Sequence, residues 1–166
     1  MSIRFNADEV FGMAERIEAD GAAFYRKAAK LHAKSKRGIA GFLLKLAAME
    51  DQHRATFAAM RAQASRQGPE ETVFDPYLEA ELYLNAKADS HGGEGSPKAA
   101  AALTGKETLA EVFRIAIGLE EKSIVFYAGL RDMAAGPQDQ DRVDTIIEEE
   151  KSHLVMLTAE LRKLKI

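Results

Sequence analysis

The chain repeats itself. Moving its first stretch forward by 102 positions, so that residue 9 meets residue 111, lays Glu9 on Glu111, Val10 on Val112, Phe11 on Phe113, Ala14 on Ala116, Glu18 on Glu120, Phe24 on Phe126 and Tyr25 on Tyr127. A shift of 100 positions then lays Leu43 on Val143, Leu46 on Ile146, Glu50 on Glu150, His53 on His153 and Phe57 on Leu157. The matched positions step by three, four and seven, the spacing of one helix face. A sequence built this way reads as two copies of one helical hairpin, each needing the other to cover its apolar face.

Ala, Leu, Glu, Lys and Arg dominate, and no stretch alternates with period two, so strands have no obvious place. Four segments carry helical periodicity: 7–34, 37–66, 108–135 and 139–164. Asn6 with Glu9, and Thr108 with Glu111, are capping-box starts. The first pair of helices is separated by Lys36, Arg37 and Gly38, and the second by Ala135, Gly136 and Pro137, links short enough for antiparallel neighbours. Residues 69–107 form a long crossover, with a short helix expected from Pro76 to Ala88 and a flexible loop from His91 to Pro97. The expected fold is all-α: an antiparallel four-helix bundle of two hairpins joined by that crossover. At 166 residues the whole chain, 1–166, reads as one domain.

The inward stripe of the second helix runs Leu43, Leu46, Glu50, His53, Phe57, Met60, and that of the fourth runs Val143, Ile146, Glu150, His153, Leu157, Leu161. Glu and His three apart sit about 60° apart around a helix and roughly 4.5 Å apart along it, so both reach one point beside the axis. The first and third helices place Glu18 and Glu120 in the columns Phe11, Glu18, Tyr25 and Phe113, Glu120, Tyr127. Four carboxylates in an apolar core require compensating charge. These stripes hold no Lys or Arg, so two divalent cations balance them most simply. Glu148, Glu149 and Glu121 adjoin the chosen glutamates, and the repeat offset selects Glu150 and Glu120 over them.

One Glu-x-x-His alone has little weight; six such positions in register, one Glu from each of two helices and Glu-x-x-His from the other two, are the pattern of two-metal carboxylate bundles. The sequence resembles the rubrerythrin-type branch of the ferritin-like superfamily over both hairpins. That resemblance implies a ferritin-like fold and a di-iron centre in which Glu18 and His53 bind one metal, Glu120 and His153 the other, and Glu50 and Glu150 bridge. It also implies an oxidoreductase acting on O2 or H2O2, by ferroxidase or peroxidase-like chemistry in defence against oxidative stress, and a homodimer. Two departures stand out. Ser123 occupies the place where the family carries a further Glu, and the chain has no cysteine, hence no rubredoxin-like domain, so electrons would come from an external electron-transfer protein.

Donor chemistry by itself suits iron and manganese, and zinc can fill the same set. The competing reading is a non-catalytic metal-binding or iron-handling protein. Without cysteine, thiolate-bound metals, iron–sulfur clusters and disulfides are excluded. A net charge of −3 and pI near 5.9 argue against nucleic acid as a partner. No apolar run approaches the roughly 20 residues of a membrane span, which leads to the expectation of a cytoplasmic protein. Tyr25 and Tyr127 read first as core residues with satisfied hydroxyls, and second as participants beside the metals. Gly21 and Ser123, in matching places one turn beyond Glu18 and Glu120, either leave room for an exogenous molecule or let helices pack closely. His32 and His91 are expected on the surface, and Met49, Met60, Met133 and Met156 as core filling.

Overall fold

Local chemistry sets the helix ends. Thr108 sits in extended backbone and accepts the amide of Glu111 on its side chain, while Glu111 returns a carboxylate to the Thr108 amide at 2.7 Å, so two orphan donors of the first turn are satisfied reciprocally. Gly38, with φ of +94°, takes the left-handed conformation that lets the chain turn into the next helix. The computed structural model describes residues 7–34, 38–67, 99–134 and 136–164. Their helices are α1 (Ala7–Leu31), α2 (Ile39–Gln67), α3 (Ala99–Ala102), α4 (Leu109–Met133) and α5 (Pro137–Lys163).

Each hairpin packs along its own length, α1 on α2 and α4 on α5, and the two hairpins meet through α1 with α4 and α2 with α5. The core divides into two apolar layers. One joins Phe24, Ala28, Leu43, Leu46, Val112, Phe113 and Leu157; the other joins Val10, Phe11, Phe57, Met60, Tyr127, Val143 and Ile146. α1 ends and α4 begins in the first layer, while α2 ends and α5 begins at the second, so the end of α2 and the start of α4 lie at opposite ends of the bundle. This is the ferritin-like arrangement of two antiparallel hairpins with a long connection.

Some expectations shift. Pro137 is the first residue of α5 rather than part of the link, because a proline at the first helical position gives up only an amide that has no partner there. His32 is buried, at 8% exposure, not on the surface. Near this end of α1, α3 packs against the helix, and a Cβ at Gly105 would stand 3.1 Å from Leu31 Cδ2. The crossover does contain a short helix, α3. The helix expected over 76–88, the loop 91–97, the Asn6 cap and His91 lie outside the described residues. Met60 is buried and Met156 packs at the edge of the core. Among the described residues, no helix is long and apolar enough to cross a membrane.

Candidate metal centre

Between the two apolar layers the bundle interior is polar. Glu18, Glu50, His53, Glu120, Glu150 and His153 are all buried there, and together with His32 they make up the buried polar and charged side chains of the described residues, with no Lys or Arg among them. The register is unambiguous: Glu150 is fully buried, whereas the side chain of Glu149 is 48% exposed and that of Glu148 71%.

Two overlapping groups of ligand atoms form, each within 4.8 Å: Glu18, Glu50, His53 and Glu150, and then Glu50, Glu120, Glu150 and His153. The shared glutamates divide their oxygens. Glu150 sets Oε1 2.9 Å from His53 Nδ1 and Oε2 3.1 Å from His153 Nδ1. Glu50 sets Oε2 3.9 Å from His53 Nδ1 and Oε1 3.2 Å from His153 Nδ1. The terminal pairs are alike, with Glu18 Oε2 3.5 Å from His53 Nδ1 and Glu120 Oε2 3.5 Å from His153 Nδ1. The two imidazole rings stack, 5.7 Å apart at 20°.

Proximity here is not hydrogen bonding. Although several of these atoms lie near 3 Å apart, both imidazole Nδ1 atoms, Glu18 Oε2, Glu50 Oε1 and both oxygens of Glu150 are buried without a hydrogen-bond partner. They gather into two shared groups of ligand atoms, each within 4.8 Å. Buried polar atoms left this way cost about 1–3 kcal/mol each, more when charged. Oxygen and imidazole donors converging on two points fit a pair of divalent cations, and the missing hydrogen bonds are the sign of it.

The electrostatics agree. Burial pushes the Glu50 carboxyl well above its ordinary range, with the Glu150 charge adding to it, and pushes Glu120 up to about 8. Burial opposes charge on the imidazoles too, yet the surrounding carboxylates prevail and raise His53 to about 11 and His153 to about 12. Burial works the same way on Glu150, but Glu120 and both imidazoles beside it hold its carboxyl below the usual range. A cluster that draws protons this strongly calls for positive charge in its midst.

The tyrosines cross between hairpins. Tyr127 of α4 donates to Glu18 Oε1 of α1, and Tyr25 of α1 donates to Glu120 Oε1 of α4. Each hydroxyl thereby occupies the outer oxygen of a terminal glutamate and leaves Oε2 toward the centre. Burial, and then the facing carboxylate, raises both phenols well above 10, so they remain donors. Of the two places one turn along, Gly21 lies against Glu50, where a Cβ would stand 3.5 Å from Cγ and Oε2, and Ser123 donates to the Leu119 carbonyl of its own helix at 3.1 Å. A Cβ at Gly21 would make only an ordinary van der Waals contact with Glu50.

One participant was not anticipated. Glu149 meets His53 Nε2 at 2.7 Å, on the side of the ring away from the centre. The repeat could not reveal it, since the shift that pairs Glu50 with Glu150 pairs Met49 with Glu149.

No curated protein matches the chain. Among solved structures it is similar to one described as a ferritin-like di-iron-carboxylate protein from Thermotoga maritima, at 24% identity over 96% of both chains with a TM-score of 0.68, a likeness of fold. The family model for rubrerythrin matches residues 9–161. Its two buried Glu/His clusters form the paired metal-binding site typical of di-iron oxidoreductases of that kind, and the chain belongs to the rubrerythrin family.

Proposed function

We propose that residues 1–166 form a single domain whose centre holds two iron ions and reduces O2 or H2O2 with electrons from a separate donor protein. In this reading Glu18 and His53 would hold one ion, Glu120 and His153 the other, and Glu50 and Glu150 would serve both. The observation that carries it is the division of the Glu50 and Glu150 oxygens between the two imidazoles. When bound, the iron pair supplies the redox electrons for the oxidant. The chain supplies the rest. Buried carboxylates fix the ions' spacing, Tyr25 and Tyr127 hold the terminal glutamates by their outer oxygens, and the apolar layers on either side keep bulk water out.

Loading the metal-free protein anaerobically with Fe(II) and mixing it with O2 or H2O2 in a stopped-flow instrument tests this. Iron oxidation faster than that of free Fe(II), abolished in Glu150→Ala, is the expected result; oxidation no faster than free iron counts against it. One observation favours the second reading, a metal-handling protein without turnover. Ser123 turns its hydroxyl to its own backbone and offers no carboxylate where the resemblance calls for one. Ready loss of the ions to a chelator, without redox cycling, would favour that reading.

A further inference from the structure

The two halves of the centre use the same kinds of ligand atom but differ behind the imidazoles. His53 Nε2 faces Glu149 at 2.7 Å. His153 Nε2 is buried and has no hydrogen-bond partner among the described residues. The repeat shows why. The residue that stands to His153 as Glu149 stands to His53 is Met49, whose thioether cannot replace a carboxylate. From this difference we infer that Glu149 is a positioning residue that makes the two metal positions unequal, so that the Glu18/His53 position takes its ion first and holds it tighter than the Glu120/His153 position.

A carboxylate accepting the Nε2 proton fixes that tautomer, leaves the Nδ1 lone pair facing the centre, holds the ring in plane and makes Nδ1 a stronger donor. Loss of such a partner commonly lowers metal affinity 10- to 100-fold. His153 has only packing to orient it. Glu149 touches neither ion position and acts through His53 alone. Because its side chain is about half exposed, it also links the centre to the protein surface. An unequal pair suits a centre in which one ion stays and the other exchanges.

This inference rests on the six-residue metal centre proposed above, and the experiment separates the two. The full-length protein is stripped of metal and titrated under argon with Co(II), followed by calorimetry and by the visible absorption of the bound ion. The wild type should bind in two steps, with His153→Ala removing the weaker one. Glu149→Gln should weaken the tighter step by about 10- to 100-fold and leave the weaker step in place. Met49→Glu, an independent variant, should strengthen the weaker step and bring the two together. Two ions bound with steps unmoved by either substitution would overturn the inference while the metal centre stands. No Co(II) bound by the wild type would remove the centre itself, and the inference with it.

Discussion

A terminal glutamate has two oxygens and one task. At Glu18 and Glu120 the tyrosine hydroxyls engage Oε1, so that rotation about the carboxylate axis is blocked and Oε2 stays aimed inward. The rings are independently packed: Tyr127 lies 4.9 Å from Phe57 and Tyr25 edges onto Phe24 at 5.6 Å. Replacing Tyr127 by Phe thus removes the hydroxyl and little else. A buried hydrogen bond to a charged group contributes about 1.5–3 kcal/mol. For a chain of this size Tyr127→Phe should lower the thermal midpoint of the metal-loaded protein by roughly 3–12 °C, and Tyr25→Phe by a similar amount. Differential scanning calorimetry decides it; an unchanged midpoint would mean that the hydroxyl contributes nothing. The same pair should make the protein alkali-sensitive. Both phenols are raised above 10 by burial, so above that pH the unfolded chain sheds these protons while the folded one keeps them. Stability is full below pH 10 and falls as pH rises beyond it, and the fall should be shallower in the double Phe variant, measured by denaturant melts.

The helices were legible because their patterns agree across levels. Phe11, Glu18 and Tyr25, like Phe113, Glu120 and Tyr127, lie at helical spacing, recur at one offset, and prove buried in matching places. That offset also favoured Glu150 over its neighbours, and Glu150 is the buried one of the three. What it could not supply was anything that breaks the repeat. Glu149 has Met49 as its counterpart, and the burial of His32 and the packing of α3 on α1 are non-local features that periodicity does not encode. The crossed tyrosine bonds needed the packing of α1 on α4, since within one helix each tyrosine lies two turns from its own glutamate. A further local device sits before α4. Glu107 accepts the amides of Thr104 and Gly105 and the Thr104 hydroxyl, and the Thr104 amide above all holds its carboxyl down to about 2. A folded-state value below the unfolded one stabilises at neutral pH, and the benefit is lost as pH falls from about 4.5 toward about 2. An NMR titration should place the Glu107 midpoint near 2, and the stability gap between wild type and Glu107→Gln should narrow across that window. A midpoint near 4.5 would dismiss this clamp.

At the scale of the whole molecule, the hairpins are each well packed but meet across an interior interrupted by ionisable groups. The apolar layers lie at either end of the bundle, and the polar band between them joins all four long helices. Bound cations would act there as a cross-link, tying α1, α2, α4 and α5 through shared carboxylates. Without them the band needs protons, and the imidazoles, raised to about 11 and 12, would carry them at neutral pH. The sign follows. Metal uptake must expel those protons, so affinity should rise with pH and fall in acid, and Co(II) addition to weakly buffered protein should acidify the solution. The cross-link has a thermal consequence as well. A ligand present at one hundred times its dissociation constant stabilises the state that binds it by about 2.7 kcal/mol, which for a chain of this length raises the midpoint by roughly 5–11 °C. Stripping the metal with a chelator should lower the midpoint by about that much, and Glu150→Ala, which removes oxygens from both clusters at once, should abolish the difference between stripped and loaded protein. A midpoint indifferent to chelator in the wild type would mean that packing alone holds the hairpins together.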